Sequence, residues 1–106
     1  MSYKIYTITY FDKQLKRLVK KYPSLKHELA ELIETLKSSP ETGTALGNEC
    51  YKIRIAIASK GKSGGARVIT YFVISNASVY LLSIYDKSEQ SDISNKDLLK
   101  LLEYTK

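Results

Sequence analysis

The sequence is poor in the residues from which many catalytic centres are built. Its 106 residues include one cysteine, one histidine and no tryptophan. A single cysteine, Cys50, excludes an internal disulfide and suits a reducing compartment, so a cytoplasmic location is expected. The lone histidine, His27, lies between Lys26 and Glu28 on a helical stretch and has no cysteine near it, which reads as surface. Cys50 has no histidine near it in sequence and reads as structural. Glu28, Glu31 and Glu34 have the spacing of a solvated helix face. These absences argue against metal-dependent and paired-carboxylate catalysis, and no cofactor is expected. No apolar run approaches the roughly 20 residues of a membrane span, and the first residues lack a secretory apolar block, so no membrane partner is expected.

Acid is missing in one place above all. Between Glu49 and Asp86 there is no aspartate or glutamate, while Lys52, Arg54, Lys60, Lys62 and Arg67 fall inside that window. The formal net charge is +6. Clustered like charges repel, so a chain keeps them more readily where an anion binds. An anionic partner is therefore expected, nucleic acid among the candidates.

What is present reads as one domain over residues 1–106, without repeat, low-complexity tract or linker. Residues 3–9 (YKIYTIT) are β-branched and aromatic and read as a strand. Phe11, Leu15, Leu18 and Tyr22 recur at helical spacing among Lys13, Lys16, Arg17, Lys20 and Lys21, an amphipathic helix with a basic outer face. Pro23 is placed to begin a second helix, striped by Leu25, Leu29, Leu32, Ile33 and Leu36 and ending before Pro40. Residues 50–58 alternate, with Ile53, Ile55 and Ile57 on one side and Lys52 and Arg54 on the other. Residues 66–75 and 78–87 read as two more strands, joined by a tight turn at 75–78. Ser94 opens a last helix with Asp97 at capping-box spacing and Ile93 and Leu98 at staple spacing. The expected fold class is α+β, ordered β-α-α-β-β-β-α, with helices against a mostly antiparallel sheet.

The stretch at 59–72, SKGKSGGARVITYF, contains the Gly-Lys-Ser of a nucleotide-binding loop. Such a loop needs a further glycine where this chain has Ala56, and a helix after it where this chain has a strand-forming run. The glycines suit a hairpin connection instead. Lysines often decorate such turns, but glycines also let backbone N–H groups approach a phosphate that Lys60, Lys62 and Arg67 can surround. If neighbouring strands pair about their hairpins, Arg54, Arg67, Tyr85 and Lys87 converge on one polar patch.

Two segments are similar to a known family. YKIRIAIASKGKSGGARVITYFV followed by VYLLSIYDKSEQSDIS resembles the RelE/ParE superfamily of bacterial toxins, nearest to the HigB-like branch of the RelE type. The Lys-Gly-Lys-Ser-Gly-Gly-x-Arg-Val-Ile loop and strand and the Tyr-x-Lys-Ser-Glu segment carry the likeness. It covers nearly the whole chain, although the N-terminal helices match in pattern only. The resemblance implies the toxin of a type II toxin–antitoxin system, a ribosome-dependent endoribonuclease that cuts messenger RNA. It also implies neutralisation by a cognate antitoxin, here expected to be a helix-turn-helix protein. By motif, Lys60, Lys62 and Arg67 would hold phosphates, Tyr85 and Lys87 would complete the catalytic set, and Arg54 would bind RNA. Lys60 or Lys62 would serve as base; Lys87 or Tyr85 would assist the leaving oxygen, or Tyr85 would stack on a base. Two other readings stay open: a ParE-like inhibitor of DNA gyrase, and a degenerate anion- or protein-binding domain.

Overall fold

A computed structural model describes residues 2–57 and 61–106, with 61–63 as backbone only. Strand β1 (Lys4–Thr7) leads into helix α1 (Thr9–Lys21), helix α2 (Leu25–Ser38), strands β2 (Thr44–Gly47), β3 (Cys50–Ile57), β4 (Gly61–Val73) and β5 (Ser78–Asp86), and helix α3 (Asn95–Glu103). Among the described residues the sheet has five strands in the order β1-β5-β4-β3-β2. β1 runs parallel to β5, and every other pair is antiparallel.

The strand alternation sorts residues to two faces. Ile53 and Ile55 on β3 sit beside Val68 and Ala66 on β4, and Val68 sits beside Ile84 on β5, forming one buried apolar face. Helices α1 and α2 cover it with Phe11, Leu18, Leu25, Leu29, Leu32 and Leu36, all buried, as the helical stripe predicts. Removing a Leu or Ile side chain of this kind from water contributes about 1.5–3 kcal/mol. The αα-hairpin is closed by Leu25 N–H donating to Tyr22 O across Pro23. Pro23 thus precedes the N-cap Ser24 rather than starting α2. α3 lies on the opposite face, burying Leu98 and Leu101. Its N-cap is the expected one: Ser94 Oγ accepts from Asp97 N–H at 3.1 Å.

Three local features differ from the sequence reading. β1 ends at Thr7, because Ile8 O already accepts the N–H of Asp12 and begins α1. Residues 44–47 form a strand that the expected order β-α-α-β-β-β-α does not contain. The connection from Gly47 to Cys50 holds only Asn48 and Glu49, at φ 54° and 61°. Two consecutive residues with positive φ are the requirement of a two-residue hairpin. Gly43 lets β2 approach β3: its φ is 104°, and a Cβ there would stand 2.5 Å from Lys52 O. Finally, β4 begins at Gly61, opposite Ile57. The glycine-rich stretch is thus largely strand, and the positive-φ glycines among the described residues are Gly43 and Gly47. A strand, not a helix, follows Gly-Lys-Ser, which removes the nucleotide-loop reading.

The edge of β5 is managed by α1. β1 pairs with β5 only as far as Leu81. Beyond it, Gln14 Oε1 accepts the Ile84 N–H and the Ser83 hydroxyl, both at 3.0 Å. The side chain takes a strand's place and saves a backbone donor from going unpaired.

Candidate active site

Register places the candidate residues. Arg54 on β3 is directly opposite Arg67 on β4, and Arg67 is directly opposite Tyr85 on β5. Directly paired residues point to the same face, so the three form a row across the sheet, with strands about 4.8 Å apart. Like charges directly opposite on neighbouring strands destabilise a sheet. Two arginines so placed are compatible with a face that meets an anion.

The row is not uniform. Arg54 is exposed. It stands beyond the point where β2 stops pairing with β3, at Lys52, and shares a cleft of about 230 Å³ with Glu28 and Glu31 of α2. Those acids weaken it as a phosphate site. Arg67 is 3% exposed and Tyr85 2%. Arg67 Nη1 donates to Ala66 O at 3.2 Å, which holds the guanidinium close to its own strand. The Tyr85 hydroxyl is buried and has no hydrogen-bond partner among the described residues. A buried hydroxyl without a partner costs about 1–3 kcal/mol, so its retention points to a ligand. Burial, and then the negative charge of Asp92, raise the Tyr85 pKa, with Arg67 pulling the other way. At neutral pH Tyr85 is therefore a proton donor and not a base.

The segment after β5 returns over this face. Asp86 Oδ1 accepts from Ser88 N–H and Oγ, at 2.9 and 2.8 Å. Asp86 Oδ2 accepts from the Tyr22 hydroxyl at 2.9 Å, tying the end of β5 to the end of α1. Glu89 meets Arg17 on α1 at 3.3 Å. Asp92 meets Lys52 on β3 at 3.2 Å. Lys52 is one rung along the same face from Arg54, so the run from Asp86 to Asp92 passes from β5 across to β3. Asp92 accepts the Ile93 N–H, and that bond together with Lys52 lowers its pKa.

Lys87 is exposed just past β5, and its N–H continues the ladder to Gly65 O at 3.1 Å. The structure thus brings Arg54, Arg67 and Tyr85 together and sets Lys87 at the same end of β5. Lys60 lies outside the described residues, as does the side chain of Lys62. His27 is a surface residue, its Nε2 3.1 Å from Glu31. Cys50 is buried, and burial followed by Glu49 pushes its thiol up to about 11, far from a reactive thiolate. Sequence reasoning missed the Tyr22–Asp86–Ser88 cluster and the Lys52–Asp92 pair. The one local sign was an acid, Asp86, directly after the apolar run of β5.

A family model described as the RelE toxin of the RelE/RelB toxin–antitoxin system matches residues 4–106. Among solved structures, a mutant of the E. coli toxin RelE in the free state is similar at 19% identity and a TM-score of 0.63, covering 86% of this chain and 90% of that one. The intact E. coli RelBE toxin–antitoxin complex contains a chain 21% identical, with a TM-score of 0.54 over 80% of this chain and 96% of that one. The RelE mutant bound to a peptide of the antitoxin RelB gives 18% identity and a TM-score of 0.54, over 94% and 93%. At such identities the likeness is one of fold.

Proposed function

The chain belongs to the RelE family of toxins of toxin–antitoxin systems, and on that premise we propose that it is a cytoplasmic, ribosome-dependent endoribonuclease that cuts messenger RNA. The observation that carries this is the Arg54–Arg67–Tyr85 row, in which Arg67 stands directly beside a buried hydroxyl that has no partner among the described residues. The Lys-Gly-Lys-Ser-Gly-Gly motif, which runs into the start of β4, supports placement in the HigB-like branch.

The reaction the row suits is attack of an RNA 2′-oxygen on the adjacent phosphorus. The bond from phosphorus to the 5′-oxygen breaks, leaving a 2′,3′-cyclic phosphate and a 5′-hydroxyl. Charge grows on the non-bridging oxygens, where fixed cations stabilise the transition state. Arg67 is the clamp, because its guanidinium contacts two oxygens and stays charged. Lys60 or Lys62 takes the 2′ proton. Tyr85, kept protonated by burial, or Lys87, gives a proton to the 5′-oxygen. Arg54 steers the strand from the edge. Because Arg67 and Tyr85 are buried, RNA reaches them once the chain covering them moves aside. A cognate antitoxin, a helix-turn-helix protein, would neutralise the activity. The E. coli relatives solved with RelB support a protein partner of this kind.

The test is controlled expression with mapping of transcript 5′ ends. The expected outcome is new ends within translated codons, falling about 10²–10³-fold in Arg67→Ala and at least about 10²-fold in Tyr85→Phe, with both variants folded. Unchanged cutting in both would remove the site assignment. No cutting, together with loss of gyrase supercoiling in vitro, would favour the ParE-like reading instead.

A further inference from the structure

A second row crosses the same face of the sheet. Tyr6 on β1 is directly opposite Tyr80 on β5, and Tyr80 is directly opposite Tyr71 on β4. Their rings form a ladder: Tyr71 and Tyr80 have centroids 6.3 Å apart at 29°, and Tyr80 and Tyr6 5.4 Å apart at 28°. The ladder stops at Tyr6 because β1 is the edge of the sheet, so no further strand supplies a ring. Tyr6 is 43% exposed. Lys4, also exposed, shares its face two residues earlier on β1. Beside the ladder lies a cleft of about 460 Å³ that includes Tyr80, Tyr10, Tyr104, Lys13 and Thr9. Tyr104 is 69% exposed. Among the described residues no carboxylate lines this cleft, whereas each of the two clefts beside it along α3 contains one or more.

We propose that the open end of this ladder and the cleft beside it bind a nucleotide of single-stranded RNA. The base stacks on the outer face of Tyr6, and Lys4 and Lys13 hold the flanking phosphates. Aromatic rings that offer a free face, with cations alongside, are the usual platform for single strands and tolerate any base. Apolar partners are matched less well, because the ring faces are rimmed by lysine and hydroxyl groups. Along β5 the ladder is ~15 Å from Tyr85, so this nucleotide lies apart from the scissile phosphate. The proposal rests on RNA being the ligand of this face, as in the reading above, but not on its being cut.

The experiment is fluorescence anisotropy with a labelled eight-nucleotide oligoadenylate, using the full chain. Tyr6→Leu is expected to weaken binding about tenfold without changing the salt slope, while Tyr6→Phe stays within about twofold. Lys13→Ala, an exposed position that does not test folding, is expected to reduce the slope of log K against log salt by about 0.7. Unchanged affinity in Tyr6→Leu, or an unchanged slope in Lys13→Ala, overturns the proposal. So does a wild-type chain that sediments as a dimer and becomes monomeric in Tyr6→Leu, since the ladder would then be a contact between copies. Oligoadenylate binding that depends on Tyr6, alongside no cutting of transcripts, would keep this site and discard the endonuclease. Cutting with Tyr6-independent binding would do the reverse.

Discussion

At the scale of single residues, burial decides what each titratable side chain can do. Cys50 and Tyr85 both acquire raised pKa values because the charged form is expensive away from water. For Cys50 the value is about 11 against 9.0 unfolded. A pKa raised on folding contributes stability that is complete below the unfolded value and is lost as pH rises through the folded one. The loss therefore belongs between about pH 9 and pH 11. Melting temperature measured across that window should fall less steeply in Cys50→Ala than in the wild type, and equal slopes would contradict the assignment. A thiol reagent at pH 8 should label the native chain slowly and the denatured chain at once. Tyr85 shows the limit of reading single residues from sequence. Strand alternation assigns it a face, but not its burial, which depends on tertiary packing.

At the scale of elements, pairing was legible where the pattern was strong. The three isoleucines of β3, the stripes of α1 and α2 and the Ser94 cap all stand where their spacing puts them. Register was not legible. It depends on the length of the connection between Ile57 and Gly61 and on an irregularity between Ile69 and Thr70. Neither has a residue-level signature in this chain. β2 escaped notice because its hairpin uses Glu49 at positive φ, against that residue's preference. The segment after β5 is tied to β3 by Lys52 and Asp92, whose side chains are 24% and 60% exposed. Such a pair contributes less than about 1 kcal/mol and is one of several contacts on the segment, beside Asp86–Ser88 and Arg17–Glu89. In Asp92→Asn, amide exchange over residues 88–93 should quicken while the melting temperature stays within a few degrees. A slow, unchanged exchange would mean that Asp86 and Ser88 hold the segment unaided.

At the scale of the whole molecule, basic residues lie on both sides of the sheet. α1 carries Lys13, Lys16, Lys20 and Lys21 outward, and the acid-free window supplies the cations of β3, β4 and the connection between them. A formal charge of +6 should make RNA association steeply dependent on salt. Binding of a non-cleavable 2′-deoxy strand should fall linearly in log K against log salt, by about 0.7 per phosphate neutralised. A flat dependence would show that the basic surface does not meet the backbone.

The parallel pairing of β1 with β5 also governs when the toxin comes into being. β1 leaves the ribosome early, yet its partner register begins at Ser78. Arg54, Arg67 and Tyr85 come from three successive strands, and the last of them to be synthesised, β5, lies between β1 and β4. A partly made chain has neither a closed sheet nor a row of cations and hydroxyl across it. Non-local pairing of this kind is slow to form. The row therefore cannot assemble on a chain that stops short of β5, and any activity it carries belongs to the finished sheet alone.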